Sequence, residues 1–397
     1  MIAVIADDFT GAAELGGIGL RYGLSVEINT AVNPAAKADL LIIAADTRST
    51  DEATAVKEME TITNALLQLK PKLIYKKTDS VLRGHIIAEI TAQLKTLGLN
   101  KALLVAANPA LGRTIVDGIY LLNGQPIHQS SFSSDPEFPI SSSDARDMLR
   151  TKDSSVKVKK NNEALPTEGI IVGEVKDAAD LKAWATDVDN QVFLAGASGF
   201  FTAVLDTLQL KGSGKTALDI LVPGQPTLFV CGTSFHKSRD RIKKISDAGG
   251  PVSYMPEEMA TIENKDKIFY DAWCKEVITM IRTNKKAIIA IRPADVGQSL
   301  VHASILRQRM ANAVRVVLEG VNIRELFIEG GSTAYAVLQQ TGFTGFIPVE
   351  EMAPGVIRMK VQGNERLYIT VKPGSYDWPA AAGDFNTAGN DHHNIAT

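Results

Sequence analysis

Two rhythms alternate along this chain: short unbroken runs of Ile, Leu, Val and Ala, and longer stretches in which apolar residues return every three or four positions. The first marks strands buried on both faces, as in a parallel sheet, and the second marks helices packed against them. In the first half, strands are expected at 2–6, 26–28, 40–44, 73–75, 102–106, 170–172 and 192–194, with helices after residue 12, over 51–69 and from 86 onward. Residues 120–127 read as a hairpin turning at Asn123-Gly124, a pair that tolerates the positive φ angles of a tight turn. The polar, proline-containing stretch 130–143 predicts a surface excursion.

A second series begins near residue 228. Strands at 228–231, 287–291 and 326–328 alternate with a basic helix through Arg239, Arg241, Lys243 and Lys244, and with helices over 265–282 and 305–318. Closing strands follow at 346–349, 356–361 and 366–372, some of them antiparallel. Gly, Ser and Pro cluster at 211–226, which reads as a linker. The expected architecture is α/β throughout: two domains with mostly parallel sheets, 1–210 and 227–397. A length of 397 residues exceeds what one ordinary core supports and agrees with that division.

Chemistry gathers where strands end. Lys76-Lys77-Thr78-Asp79-Ser80-Val81-Leu82-Arg83-Gly84 follows the run Leu73-Ile74-Tyr75 and precedes a helix, so it reads as a charged turn at a strand's carboxyl end, where open α/β sheets hold ligands. Its cations suit an anion, Asp79 can accept from a hydroxyl, and N–H groups at the helix start add donors. The bland account is a solvated turn with helix caps. Asp7-Asp8-Phe9-Thr10-Gly11 and Asp46-Thr47-Arg48-Ser49 repeat the strand-then-acid form. In the second half, Gly232-Thr233-Ser234 and Gly330-Gly331-Ser332-Thr333 are glycine-bearing strand-to-helix junctions, a form that suits phosphate and also serves as a plain N-capped turn. Two of them in one domain favour a nucleotide. The loops Met352-Ala353-Pro354-Gly355 and Lys372-Pro373-Gly374-Ser375 are candidates to wall the same pocket, or ordinary turns.

Composition narrows the function classes. The chain is 45% hydrophobic and 22% charged with a net charge of −3, so neither nucleic acid nor an anionic membrane is an expected partner. Cys231 and Cys274 stand at no metal-ligand spacing, which fits a reducing cytoplasm. No apolar run is long enough to span a bilayer, and the amino terminus reads as a first strand and not a signal peptide. Gly212-Ser213-Gly214-Lys215-Thr216 resembles a P-loop only superficially, because Gln209 stands where the first glycine belongs and no strand precedes it. No G-x-S-x-G elbow accompanies a serine, no G-x-G-x-x-G follows the first strand of either half, and His128, His236 and His302 show no ligand spacing; His85 sits beside the central turn, as an assisting group or a plain helix-surface histidine, and His392 and His393 fall in an aperiodic tail where a metal role is not expected.

Ile5-Ala6-Asp7-Asp8-Phe9-Thr10-Gly11-Ala12, the 76–84 stretch, Gly112-Arg113-Thr114-Ile115-Val116-Asp117-Gly118 and Gly330-Gly331-Ser332-Thr333-Ala334 occur in the order and spacing of the four-carbon acid sugar kinase family, which the chain resembles over nearly its whole length. The resemblance implies ATP-dependent phosphorylation of the 4-hydroxyl of threonate, erythronate or 3-oxo-tetronate, with the acid held by the amino-terminal domain, the nucleotide by the carboxyl-terminal one, and catalysis in a cleft between them. It implies Asp8, Asp79 and Lys77 as catalytic residues and Asp7, Thr10, Gly11, Ser80, Arg83 and Arg113 as the acid-binding set. Ser234, Gly330, Gly331, Ser332, Thr333, Pro354, Gly355 and Gly374 fall on the nucleotide side. On this reading Arg83 and Lys77 clamp the substrate carboxylate, Asp8 is favoured over Asp7 and Asp79 to take the proton, and Mg²⁺ bridges the nucleotide phosphates. The expected partners are the sugar acid and ATP, a homodimer is allowed as an assembly, and no metal ligand is singled out. The chain departs from the family at Thr78-Asp79-Ser80-Val81, where Ile-Asp-Ser-Thr is more frequent, at Ser332 and at Lys372-Pro373-Gly374. A non-catalytic sugar-acid sensor is the competing class; it has no need of phosphate-type turns.

Overall fold

The computed structural model describes residues 1–135, 138–186, 191–208, 210, 221–232, 236–261, 267–292, 302–364, 366–374, 376–379 and 382. The chain divides into two compact units, 1–216 and 217–397. Residues 211–220, which carry most of the expected linker and all of the P-loop-like stretch, lie outside the described residues, as do Ser234 and the tail with His392 and His393.

In the first unit the strands are β1 (Ile2–Ala6), β2 (Val26–Asn29), β3 (Leu40–Ala44), β4 (Leu73–Lys77), β5 (Lys101–Val105), β6 (Arg113–Val116), β7 (Ile119–Leu122), β8 (Gln125–Pro126), β9 (Val156–Lys159), β10 (Gly169–Gly173) and β11 (Val192–Gly196). The helices are α1 (Phe9–Arg21), α2 (Glu52–Gln68), α3 (Ile86–Leu97), α4 (Ala145–Met148), α5 (Ala178–Thr186) and α6 (Ser198–Thr207). A parallel sheet runs β2-β3-β1-β4-β11-β5-β10-β9. Every residue of β1 and β3 is buried, which is why those runs carry no alternation. Ala3, Ile5, Leu41 and Ile43 meet Met59, Ile62 and Leu66 of α2 in one core. From β1 the chain winds to β2 and β3 on one side, then returns to β4 on the other, so the β1/β4 boundary is a topological switch point.

The register aligns the carboxyl ends at that boundary. Ala6 lies opposite both Ala44 and Lys77, and Lys77 lies opposite Gly196. The turns after β1, β3 and β4 therefore open on one edge. Lys76 and Lys77 belong to β4 and not to the turn expected there, because the pairing with β1 continues through both. A separate antiparallel ribbon, β6-β7-β8, turns at Asn123 and Gly124 with φ of 51° and 78°. Its first strand, Arg113–Val116, lies within the Gly112–Gly118 motif. The expected surface excursion at 130–143 leaves Ser131, Ser133, Pro139 and Ser141 exposed but buries Phe132 and Ile140, and Ser131–Ser134 forms a 3-10 turn.

The second unit comprises β12 (Thr227–Cys231), α7 (His236–Asp247), β13 (Val252–Tyr254), α8 (Glu257–Thr261), α9 (Lys267–Asn284), β14 (Lys286–Ala290), α10 (Ala303–Gly320), β15 (Glu325–Glu329), α11 (Gly331–Thr341), β16 (Gly345–Ala353), β17 (Val356–Val361) and β18 (Tyr368–Lys372). Its strands lie in the order β13-β14-β12-β15-β18-β17-β16, parallel as far as β18 and antiparallel beyond. Phe229 and Phe327 stack at 4.5 Å beneath Trp378 in its core. The winding reverses between β12 and β15, a second switch point.

Candidate functional site

At the first switch point the side chains form a closely paired charge cluster. Asp8 is the N-cap of α1: its carboxylate accepts from Gly11 N at 2.8 Å and from Thr10 Oγ1 at 2.7 Å. Arg48, from the turn after β3, donates through Nε and Nη2 to Asp7 at 2.9 Å each and through Nη1 to Asp8 at 3.1 Å. Burial pushes the Asp7 carboxyl upward while Arg48 pulls it back. Burial also works against the charge on Asp8, but there Arg48, Lys77, Thr10 and Gly11 together outweigh it and the carboxyl titrates below its usual range.

Lys77 ends β4 beside this carboxylate. Its ammonium donates to Thr78 O at 3.0 Å and lies 3.8 Å from Glu14. A Cβ added at Gly11 would fall 2.5 Å from Asp8 Oδ1 and 3.1 Å from Lys77 Nζ. Glycine is thus required for the carboxylate and the ammonium to flank one stretch of bare backbone. Lys76, next to it, is wholly buried and pairs with Glu89 at 2.7 Å, with the Thr47 hydroxyl donating to the same carboxylate. That lysine is part of the scaffold, and the turn has one fewer cation than its sequence suggests.

Asp79 and Arg83 face each other across one turn of loop: Arg83 Nε and Nη2 donate to the two Asp79 oxygens at 2.8 and 2.9 Å, and Arg83 N adds a bond at 3.1 Å. Burial alone would raise Asp79, but Arg83 and Arg48 hold its carboxyl far below the usual range. Between them Leu82 takes a left-handed φ of 62°, an expensive conformation for a γ-branched residue in a loop that must bring Arg83 back onto Asp79. Arg83 Nη1 donates to Asp135 at 2.8 Å. Arg113, on β6, donates to the Ser80 hydroxyl, and the Tyr120 hydroxyl donates to Ser80 O. Both guanidinium groups lie over the Phe132 ring, Arg83 at 5.7 Å and Arg113 at 5.6 Å. The structure therefore brings Asp7, Asp8, Thr10, Gly11, Lys77, Asp79, Ser80, Arg83 and Arg113 to one edge. It also adds Arg48, Phe132 and Asp135, which sequence reasoning missed. The position of Arg48 at a strand end was the available signal for it; Phe132 and Asp135 sit in a stretch with no periodicity to read.

The second switch point holds the glycine turns. Gly330 is the N-cap of α11 with a φ of 93°, and Gly331 to Thr333 form the first turn of that helix. A Cβ on Gly232, at the end of β12, would lie 2.5 Å from Thr333 Oγ1. Gly232 thus meets the start of α11, whose first-turn backbone N–H groups carry no side-chain cap, a cradle of the kind that takes phosphate oxygens. Behind it Lys372 pairs with Glu329 at 2.9 Å, both 1% exposed, and the Ser238 hydroxyl donates to Glu329. Burial pushes the Lys372 ammonium downward against the pull of Glu329. Pro354 sits exposed at the β16–β17 turn, and Gly355, φ 74°, presses its backbone on Tyr376: an added Cβ would be 2.7 Å from the ring. The Pro354-Gly355 loop therefore lies against the segment that carries Gly374. Ser332 is half-buried, with no side-chain cap on the helix it begins.

Among the described residues no group of three or more His, Cys, Asp or Glu is placed to hold a metal ion. The carboxylates nearest the two switch points are each taken by a cation: Asp7 and Asp8 by Arg48, Asp79 by Arg83, Glu329 by Lys372. Among the described residues the carboxylates at the two switch points do not compose a resident Mg²⁺ site. Among the described residues no helix is long and apolar enough to cross a membrane.

Comparison with known proteins matches the two halves of the chain to separate family models. A family model described as a sugar-binding N-terminal domain matches residues 2–204, and one described as a nucleotide-binding C-terminal domain matches 228–376. A D-threonate kinase of Salmonella typhimurium is 28% identical over 88% of this chain and 89% of its own length. A D-erythronate kinase of Heliobacterium modesticaldum is 24% identical, covering 89% and 88%, and a 3-oxo-tetronate kinase of Actinobacillus succinogenes is 23% identical, covering 95% and 96%. Among solved structures, a Salmonella typhimurium protein described as a putative tRNA synthase shares the fold with a TM-score of 0.73 at 18% identity, covering 97% of this chain and 96% of that one. A Haemophilus influenzae protein does so at 0.68 and 20% identity, covering 96% and 98%. With both domain models matched in order along its length, the chain belongs to the four-carbon acid sugar kinase family.

Proposed function

We propose that this protein is an ATP-dependent kinase that phosphorylates the terminal hydroxyl of a four-carbon sugar acid, holding the acid on the first unit and the nucleotide on the second. The observation that carries this reading is the Asp8–Gly11–Lys77 arrangement: a carboxylate kept ionised at neutral pH and an ammonium with donor capacity left over, either side of bare backbone at a helix start. Asp8 is the acid we assign to accept the hydroxyl proton. It is the most exposed of the three aspartates, at 8% against 2% for Asp7 and 5% for Asp79. Lys77 receives the substrate's negative charge. The fork of Arg83 is filled by Asp79 and Asp135, so its role is to shape the pocket unless Asp135 yields its place to a substrate carboxylate.

Phosphoryl transfer asks little covalent chemistry of a protein; positioning and charge compensation dominate. The Gly330 N–H is spent on Lys372 O at 2.9 Å, so the backbone N–H groups that suit the nucleotide phosphates are those of the first turn of α11, from Gly331 onward, with the Thr333 hydroxyl beside them. Magnesium, when it accompanies ATP, supplies charge neutralisation on the phosphates, and this chain's residues orient the acid and take the proton.

The test is a panel: purified full-length protein with ATP and D-threonate, L-threonate, D-erythronate and the 3-oxo acid, followed by ADP release and by detection of the phosphorylated product. Turnover of one acid at least tenfold above the others is expected. Stabilisation of the protein by an acid without ADP release from any of them would replace the kinase with a sensor.

A further inference from the structure

At the opposite end of the second unit's sheet, by the amino ends of β12, β15 and β18, lies a hollow of about 370 Å³, within the size range of small-ligand sites. Gln225, Asn322, Arg324, Glu325, Arg358 and Arg366 supply its polar lining. Open α/β sheets bind substrates at the carboxyl ends of their strands, so this hollow is separate from the turns at Gly232 and Gly330.

Its charge is unbalanced. Glu325 is already taken by Arg358, whose Nη2 and Nε reach its two oxygens at 2.7 and 3.1 Å in a pair that is almost wholly buried. The face of Tyr368 carries Arg358 at 3.8 Å and Arg324 at 4.9 Å, which fixes both guanidinium groups against a buried ring. Arg324 and Arg366 form no ion pair with any carboxylate among the described residues. The lining thus holds three arginines against one glutamate, an excess of two positive charges on a chain whose net charge is −3. Stacked arginines with open N–H groups, flanked by two side-chain amides, are the donor set for planar or tetrahedral oxyanions.

We propose that this hollow is an anion site for a phosphate group, free or as the head of a phosphate monoester, held by Arg324 and Arg366 with Gln225 and Asn322 completing the donors. The Arg358–Glu325 pair is its floor. The site is independent of the kinase reading, and nothing in it contacts the candidate substrate or nucleotide turns.

The test is calorimetric titration of the full-length protein with inorganic phosphate and, separately, with glycerol phosphate, at ionic strength held constant with sodium chloride. Arg324→Gln/Arg366→Gln should weaken phosphate binding at least tenfold, whereas Lys95→Gln, at an exposed lysine of the first unit, should leave that binding unchanged. Tighter binding of glycerol phosphate than of inorganic phosphate would assign the monoester, and the reverse the free ion. Unchanged affinity in the double variant, or no binding above the chloride background in the parent protein, would overturn the proposal. Arg366 is exposed, so the single Arg366→Gln variant is a fallback if the double variant misfolds. Selenate soaked into crystals of the parent protein should place an anomalous peak between the two arginines, and a peak only elsewhere would count against the site.

Discussion

Arg48 holds two successive carboxylates at once: its guanidinium meets Asp7 at 2.9 Å through two nitrogens and Asp8 at 3.1 Å. The turn after β3 therefore neutralises the turn after β1, and neither acid is tolerable in so buried a place without it. Replacing Arg48 by Gln leaves two buried acids without their main counter-charge, which should destabilise the first unit by about 3–5 kcal/mol. Urea unfolding followed by circular dichroism measures this. Arg48→Lys should recover less than half of the loss, because a point charge cannot make the two-pronged contact.

Asp8→Asn keeps the N-cap oxygen and the shape while removing the proton acceptor. On the kinase reading, kcat falls by about 10²–10⁴ while KM for ATP stays within a few-fold of the parent value. Steady-state kinetics at saturating acid checks it. A variant that kept full turnover would pass the role to another group, and Asp7→Asn and Asp79→Asn measured alongside would show which.

Asp79 makes a statement about pH. Its folded carboxyl titrates far below the ordinary aspartate value of 3.8, so the folded state binds its proton less readily than the unfolded chain does. The stabilisation is complete above the unfolded value and is lost as pH falls through the folded one. Asp79→Asn should therefore cost a constant amount of stability from about pH 5 to 8, and the gap between variant and parent should narrow below about pH 4. Urea midpoints at pH 7, 5 and 3.5 give the comparison. A gap that widened on acidification would contradict the assignment.

The architecture is legible in the sequence where burial is complete. β1 and β3 are unbroken apolar runs, and the structure sets the polar turns that follow them on one edge of the sheet beside the β1/β4 switch point. What escapes is whatever depends on pairing across distance. Nothing local says that Lys76 is spent on Glu89 while Lys77 remains at the site, because the difference is which face of β4 each side chain takes. Nor does the 130–143 stretch reveal its place. Phe132 and Asp135 are isolated among serines and a proline, and only the folded loop carries them onto Arg83. Edge strands such as β9 and β13 are short and half polar, too weak a pattern to separate from loop.

That same loop supplies a prediction. Phe132 presents its ring to both Arg83 and Arg113, a contact worth about 0.5–2 kcal/mol per arginine in partly desolvated surroundings. Phe132→Ala should raise KM for the sugar acid roughly tenfold with KM for ATP unchanged, since the two guanidinium groups lose the wall that orients them. Phe132→Tyr keeps the ring and should behave as the parent. Equal rises in both Michaelis constants would point to general unfolding, which a melting curve would reveal.

On the nucleotide side the sharpest handle is the approach of Gly232 to Thr333. A methyl at Gly232 would stand 2.5 Å from Thr333 Oγ1 and 3.1 Å from its Cγ2, so Thr333 or the start of α11 must move. Gly232→Ala should raise KM for ATP by an order of magnitude or more and leave KM for the acid unchanged, the reverse of the Phe132 variant. Thr333→Ala removes the atoms that the new methyl strikes. If the clash is the cause, the double variant Gly232→Ala/Thr333→Ala should bind ATP as well as Thr333→Ala alone, a non-additivity that independent sites do not show. Losses that simply multiplied would mean that Gly232 matters for its own backbone freedom and not for its approach to Thr333. Nucleotide affinity measured directly, by titrating a fluorescent ATP analogue, separates these outcomes without reliance on turnover.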